Sequence, residues 1–350
     1  MTLKSPDYFP PYAHKIMDLL IKHDWLVHAL YLDRGDNIYD PGVFHEFKKL
    51  HNTQYILYID SNIYQYIFNA YKKQNKQQLH RVGIALVVFC MLSNITIDPT
   101  FAVYEKINYR KRLPDEILDD LTIFRRIYNA SVHQLADFAL GLTDTIDLPE
   151  IAPIDRGIVE QNLTKYERLE HWETFKVLLL KIIELYFFNN AKVEEKPTLF
   201  LDWCREYFIY STVSIAFFHE LLSATSVTKL MKFKPEMSEP DKSKAVINMV
   251  WDLFFAETFF EKWKIKPNNI EYIFASNDEY VRKTLIQSIS IQDYAQGFPT
   301  RTRMSKALIQ SVDKFRAGMK NDIGRKVNKK MDFKCHRNKL ISELEAKLGY

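Results

Sequence analysis

Four carboxylates in this 350-residue chain stand where acids do chemistry: Asp60, Glu105, Asp252 and Asp278. Asp60 directly follows Tyr55-Ile56-Leu57-Tyr58-Ile59, and Asp278 follows Tyr272-Ile273-Phe274-Ala275 with only Ser276 and Asn277 between. Both runs are short, apolar and rich in β-formers, the pattern of strands buried on two faces. In a parallel sheet covered by helices, ligands bind beyond the carboxyl ends of the strands, so the two acids are expected on one rim. Glu105 falls in the first two turns of a helix expected after the short strand Ile95-Thr96-Ile97. Asp252 lies among Val250, Trp251, Leu253 and Phe254 on a long helix, with Asn248 one turn earlier on the same face. A carboxylate in such company needs a partner, because burying it alone is costly.

Four converging acids without a matching set of Lys or Arg repel one another, and a hard divalent cation resolves this. Mg²⁺ or Mn²⁺ takes oxygen ligands, keeps several waters and completes its shell with substrate phosphates. Such an ion orients and activates water for attack on a phosphodiester and neutralises the leaving oxygen.

The elements that must position these acids alternate. Residues 1–51 read as a helical lead-in ending at Asp40-Pro41-Gly42. Strand, cap and helix follow: Asp60-Ser61-Asn62 are capping residues, and Ile63, Tyr66, Ile67 and Ala70 mark one helical face. Residues 81–92 are apolar nearly all round, as a buried helix is. Asp98-Pro99-Thr100 suits the first turn of another helix. Residues 111–242 carry long helical patterns, Phe175–Phe188 and Trp203–Ser223 among them, and few strand patterns. Phe233–Ser243 reads as a polar linker. After it come a helix at Lys244–Trp263, the Tyr272–Ala275 strand and a helix at Glu279–Ile289. The simplest organisation is an α/β core, 52–110 and 243–298, interrupted by an all-helical insertion at 111–242 and closed by a basic helical tail at 299–350.

The order of motifs resembles the PIN-like nucleases. Strand-Asp60-Ser61-Asn62 is similar to their Asp-x-Asn opening, and Pro99-Thr100-x4-Glu105 to their second acid. Asn248-x3-Asp252-Leu253 is similar to the third, and Ser276-x-Asp278 to the last acid's Ser/Thr-x-Asp. The resemblance covers 52–110 and 243–298 and implies a parallel sheet flanked by helices, a divalent metal and hydrolysis of single-stranded RNA. It implies that Asp60, Glu105, Asp252 and Asp278 are metal ligands, with Asn62 and Ser276 orienting them; Asn248 joins this supporting set through its place beside Asp252. The chain departs from the pattern in its 147-residue gap between Glu105 and Asp252, which brings Glu257 and Glu261 into consideration as alternatives to Asp252.

Two other readings stand beside this one. Arg126-x6-His133 is similar to the loose Arg/His motif of metal-independent HEPN ribonucleases, although Ile127 replaces the polar residue favoured after the Arg. A non-catalytic interaction protein on a degenerate α/β core is the other, the insertion then serving a protein partner. Phe218-His219-Glu220-Leu221-Leu222-Ser223 falls short of a zincin helix, since Ser223 stands where the second His belongs.

Composition narrows the field. With 9 Gly there is no Gly-rich phosphate loop, neither Walker nor GxGxxG. Cys90, Cys204 and Cys335 are odd in number and form no CxxC, so neither a zinc ribbon nor a disulfide framework is expected. No apolar leader or membrane-length run is found, and a soluble cytoplasmic protein that does not bind membranes is expected. The net charge of +4 is uneven: 301–350 hold 14 Lys and Arg against 5 Asp and Glu, a local +9 that leaves −5 on the rest. A basic end on an acidic body suits an anionic partner such as RNA.

Overall fold

The computed structural model describes residues 9–29, 38–73, 77–108, 114–159, 161, 171–223, 230–298, 304–321 and 333–350. The chain forms two compact units, Met1–Arg168 with Glu261–Arg282, and Leu169–Phe260 with Lys283–Tyr350.

The first unit holds a four-stranded sheet in the order β1-β4-β2-β3. These strands are Leu26–Val27 (β1), Gln54–Ile59 (β2), Ile95–Asp98 (β3) and Ile270–Ala275 (β4). β2 is central and parallel to both neighbours, with Leu57 opposite Ile97 on one side and Ile273 on the other. β-branched and aromatic residues buried on both faces explain why β2 and β4 read as continuous apolar runs. The expectation of an all-parallel sheet is corrected at the edge, where β1 runs antiparallel to β4. β1 is too short, at two residues, to carry a period; Asp24, left-handed at φ 49°, ends the preceding helix, and pairing with Phe274 and Ala275 makes the strand.

Helices α1 (Tyr12–His23), α2 (Pro41–His51), α3 (Ser61–Lys72), α4 (Gln78–Ser93), α5 (Thr100–Asn108), α6 (Pro114–Tyr128) and α7 (Val132–Ala139) belong to this unit. α4 is buried along nearly its whole length, from Val82 to Cys90, as its all-round apolarity requires. It packs against α1, α3 and α7. Gly83 permits the α3 approach: a Cβ there would lie 3.1 Å from the Ile67 backbone nitrogen. Lys106 is sealed in the same region, 2.8 Å from Asp120 and over the Tyr64 ring. The first part of the expected insertion, 111–168, therefore lies in the unit that carries the sheet.

The second unit is helical among its described residues: α8 (Trp172–Phe187), α9 (Lys196–Tyr207), α10 (Thr212–Ser223), most of α11 (Glu239–Lys264) and α12 (Glu279–Gln296), α13 (Lys306–Asn321) and α14 (Phe333–Leu348). The single helix expected over Trp203–Ser223 is two, because Ser211 accepts the Ser214 N–H at 3.0 Å and starts a new helix. The expected linker is helical from Glu239, with Pro240 and Asp241 in the first turn, positions that favour both residues. α14 is no loose tail: Leu344 and Leu348 are buried, and α14 packs on α8. Lys347 pairs with Glu184, Lys314 with Asp202 and Arg337 with Glu173, so part of the basic excess is neutralised within the unit. Residues 299–303 and 322–332 of that tail lie outside the described residues. No helix among the described residues is long and apolar enough to cross a membrane.

Candidate active site at the carboxyl edge of the sheet

Taken in chain order, β2, β3 and β4 are three parallel strands with the first in the middle. The chain therefore leaves the carboxyl end of β2 toward one neighbour and later fills the other side, which makes β2/β4 a topological switch point, the usual crevice of open α/β sheets. Asp60 follows β2 there and Ser276-Asn277-Asp278 follow β4.

Ser276 links the Asp60 carboxylate to the backbone of Asp278. Its hydroxyl donates to Asp60 Oδ2 at 2.6 Å and accepts the Asp278 N–H at 3.0 Å. Ser276 is 1% exposed, and its carbonyl accepts from the buried Arg282 guanidinium at 2.8 Å. Asp60 Oδ1 accepts the Ile63 N–H at 2.7 Å and so caps α3. Asp278 Oδ1 accepts from Tyr280 N–H at 2.9 Å and from Val281, the capping pattern for α12. Each carboxylate thus faces the positive end of a helix. Arg282, one turn past Asp278 and bonded to the Ser276 carbonyl, gave no signal in the sequence.

Asn277 is wedged beside them. Its Oδ1 accepts the Trp25 Nε1–H at 2.9 Å, and its Nδ2 donates to the Tyr66 hydroxyl at 3.2 Å. Trp25 also receives the Ser276 N–H on its carbonyl and stacks with Tyr66 at 5.8 Å. Burial pushes the Tyr66 hydroxyl pKa up, and the Asp60 charge adds to this against the Asn277 hydrogen bond. Nearby, Tyr39 is raised by burial, with Asp24 adding and Arg282 opposing.

A further acid completes the edge. Asp98 ends β3, where it is the register partner of Tyr58, two residues before Asp60. Its Oδ1 accepts from the Thr100 N–H at 2.8 Å and from the Thr100 hydroxyl. The sequence signal was present, an Asp at a strand's carboxyl end, but it read as a helix-initiating Asp-Pro-Thr. Trp25, Tyr66 and Asn277 gave no sequence signal, since their bonds join positions far apart in the chain.

The other expected residues are placed as follows. Glu105 is half-buried on α5, in the unit that carries the sheet. Asn62 is exposed in the first turn of α3. Asp252 and Asn248 lie on the part of α11 in the second unit. There Asp252 Oδ2 is 2.5 Å from Lys232 Nζ; the partner demanded by its apolar flanks is, in this structure, an ammonium. Glu257 accepts from the Ser211 hydroxyl, and Glu261 pairs with Lys264. Among the described residues no group of three or more His, Cys, Asp or Glu is disposed to hold a metal ion. The Arg126 guanidinium donates to the carbonyls of Leu148 and Pro149, and His133 stands edge-on to Tyr12. His219 packs with its Nε2 2.7 Å from Ser305 Oγ.

No family model matches the chain, and neither the curated proteins nor the solved structures give a match.

Proposed function

We propose that the protein is a metal-dependent endoribonuclease whose reaction centre is the crevice between the carboxyl ends of β2 and β4. The observation that carries this is Ser276, buried and bonded at once to Asp60 and to the Asp278 backbone, locking two acids at the switch point. The ligand set there is all oxygen, and each acid accepts its helix-capping bonds on Oδ1. That suits Mg²⁺ or Mn²⁺, which one or two carboxylates hold together with waters and substrate phosphates. Bound there, the ion supplies charge neutralisation and an activated water for phosphodiester hydrolysis, leaving a 5′-phosphate and a 3′-hydroxyl.

Asp60 and Asp278 are the ligands proposed with this geometry, and Ser276 orients the first of them. Glu105 keeps the role of a further ligand and Asn62 that of a support, as the PIN-like order implies. Single-stranded RNA as substrate, a cytoplasmic location and a protein partner on the helical unit are parts of the same proposal.

The deciding assay is Mn²⁺-dependent cleavage of a single-stranded RNA oligonucleotide by wild type, Asp60→Asn and Asp278→Asn. Both variants are expected to lose at least about a hundredfold in rate, since the metal term is worth several kcal/mol. Wild-type rates in both variants, or rates that survive EDTA, refute the reading. A second reading, a non-catalytic interaction protein, is favoured by one feature: Asp60 and Asp278 both serve as helix caps. It requires that Mn²⁺ leave the melting temperature unchanged, because an ion that binds only the folded chain raises it.

A further inference from the structure

The hydrogen bonds of Trp25, Asn277 and Tyr66 have a fixed direction. An indole N–H can only donate, so Asn277 must turn its Oδ1 to Trp25, and the usual ambiguity of an amide's orientation vanishes. Its Nδ2 then faces Tyr66, whose oxygen must accept. The one hydrogen of the phenol is left to donate elsewhere. Stacking on Trp25 holds the ring, and Asn277 lies between Asp278 and Ser276, whose hydroxyl bonds both Asp60 and the Asp278 backbone. Trp25 is 1% exposed, whereas Tyr66 and Asn277 are only half-buried, and Asn277 follows β4 at the edge proposed for substrate.

We propose that the Tyr66 hydroxyl is a hydrogen-bond donor to a phosphate oxygen of a single-stranded nucleic acid, its polarity set by the Trp25–Asn277 relay. The inference rests on the reading of the β2/β4 crevice as a phosphodiester site, and it adds a substrate-binding group that no carboxylate there can replace. Acids repel a phosphate in the absence of metal; a phenol oriented as donor does not. Trp25 and Asn277 are positioning residues, acting through Tyr66.

The experiment measures equilibrium binding of a single-stranded RNA oligonucleotide with Ca²⁺ present and, separately, the rise in melting temperature caused by Mn²⁺. Tyr66→Phe keeps the ring and the stack and removes only the hydroxyl. It is expected to weaken oligonucleotide binding about tenfold, the loss typical of one bond to a charged group, while the Mn²⁺ shift stays at its wild-type size. Asn277→Ala is expected to weaken binding in the wild-type background and to add nothing in the Tyr66→Phe background, which a merely structural role would not produce. Equal binding by wild type and Tyr66→Phe overturns the inference, as does additivity of the two substitutions. A wild type that binds the oligonucleotide but fails to cleave it with Mn²⁺ sinks the nuclease reading alone, and the binding comparison still decides the role of Tyr66. A wild type that does not bind overturns both.

Discussion

Replacing Ser276 by Ala deletes one hydroxyl that is 1% exposed and removes two hydrogen bonds without touching either acid. The bond to Asp60 Oδ2 has a charged acceptor and contributes about 1.5–3 kcal/mol, and the one from the Asp278 N–H about 0.5–1.5 kcal/mol. The Arg282 bond goes to the Ser276 carbonyl and survives. Together the loss is about 2–4 kcal/mol, which for a unit of this size lowers the melting temperature by roughly 5–15 °C. Scanning calorimetry in EDTA reads that fall, and the same scan with Mn²⁺ reads its consequence. With Asp60 no longer held toward Asp278, the stabilisation by Mn²⁺ is expected to shrink as well. A change of less than about 0.5 kcal/mol without metal, with an undiminished Mn²⁺ shift, contradicts the claim that Ser276 joins the two acids into one site.

Other perturbations probe the surrounding structure. Lys106→Met leaves the buried Asp120 without its ammonium at 2.8 Å and is expected to destabilise by about 3–5 kcal/mol in denaturant titration, with Lys106→Met/Asp120→Leu recovering most of it. Glu271 is buried, which raises its pKa, but His28, 3.5 Å away, and the Lys266 ammonium bonded to it outweigh this and hold it below the usual carboxylate range. A folded pKa below the unfolded one adds stability above the unfolded value that disappears as the pH falls through the folded one. The stability gap between wild type and Glu271→Gln should therefore be constant near neutrality and close in acid; a gap that widens in acid refutes the pairing. Removal of 333–350 exposes the faces that bury Leu344 and Leu348, so calorimetry should show the second unit losing about 3–6 kcal/mol; an unchanged melting profile would make α14 an appendage.

Much of the sheet was legible because its central strands are buried on both faces, and a run such as Tyr55–Ile59 announces itself without any periodicity. The Asp60 cap and its helix followed from local rules as well. β1 was illegible, since two residues gain their strand geometry only by pairing with Phe274 and Ala275, about 250 positions away in sequence. The break at 208–211 was hidden by hydrophobicity that continues across it, and only the Ser211 cap decides it. At the candidate site, Ser276 and Asp278 were legible as a strand-end motif. Arg282, Trp25 and Tyr66 were not, because a relay through Asn277 is a property of the folded edge and leaves no pattern in the chain. Asp252 shows the converse: its apolar flanks signalled a partner, but Lys232 satisfies the same demand as a metal would.

Asp60 and Asp278 are proposed to hold a divalent ion. Crystals soaked in Mn²⁺ and measured for anomalous scattering address it without recourse to any substrate. A peak is expected at the carboxyl ends of β2 and β4, with oxygens of Asp60 and Asp278 at about 2.1 Å or one water away. A peak confined to other acids, or none at saturating Mn²⁺, contradicts it.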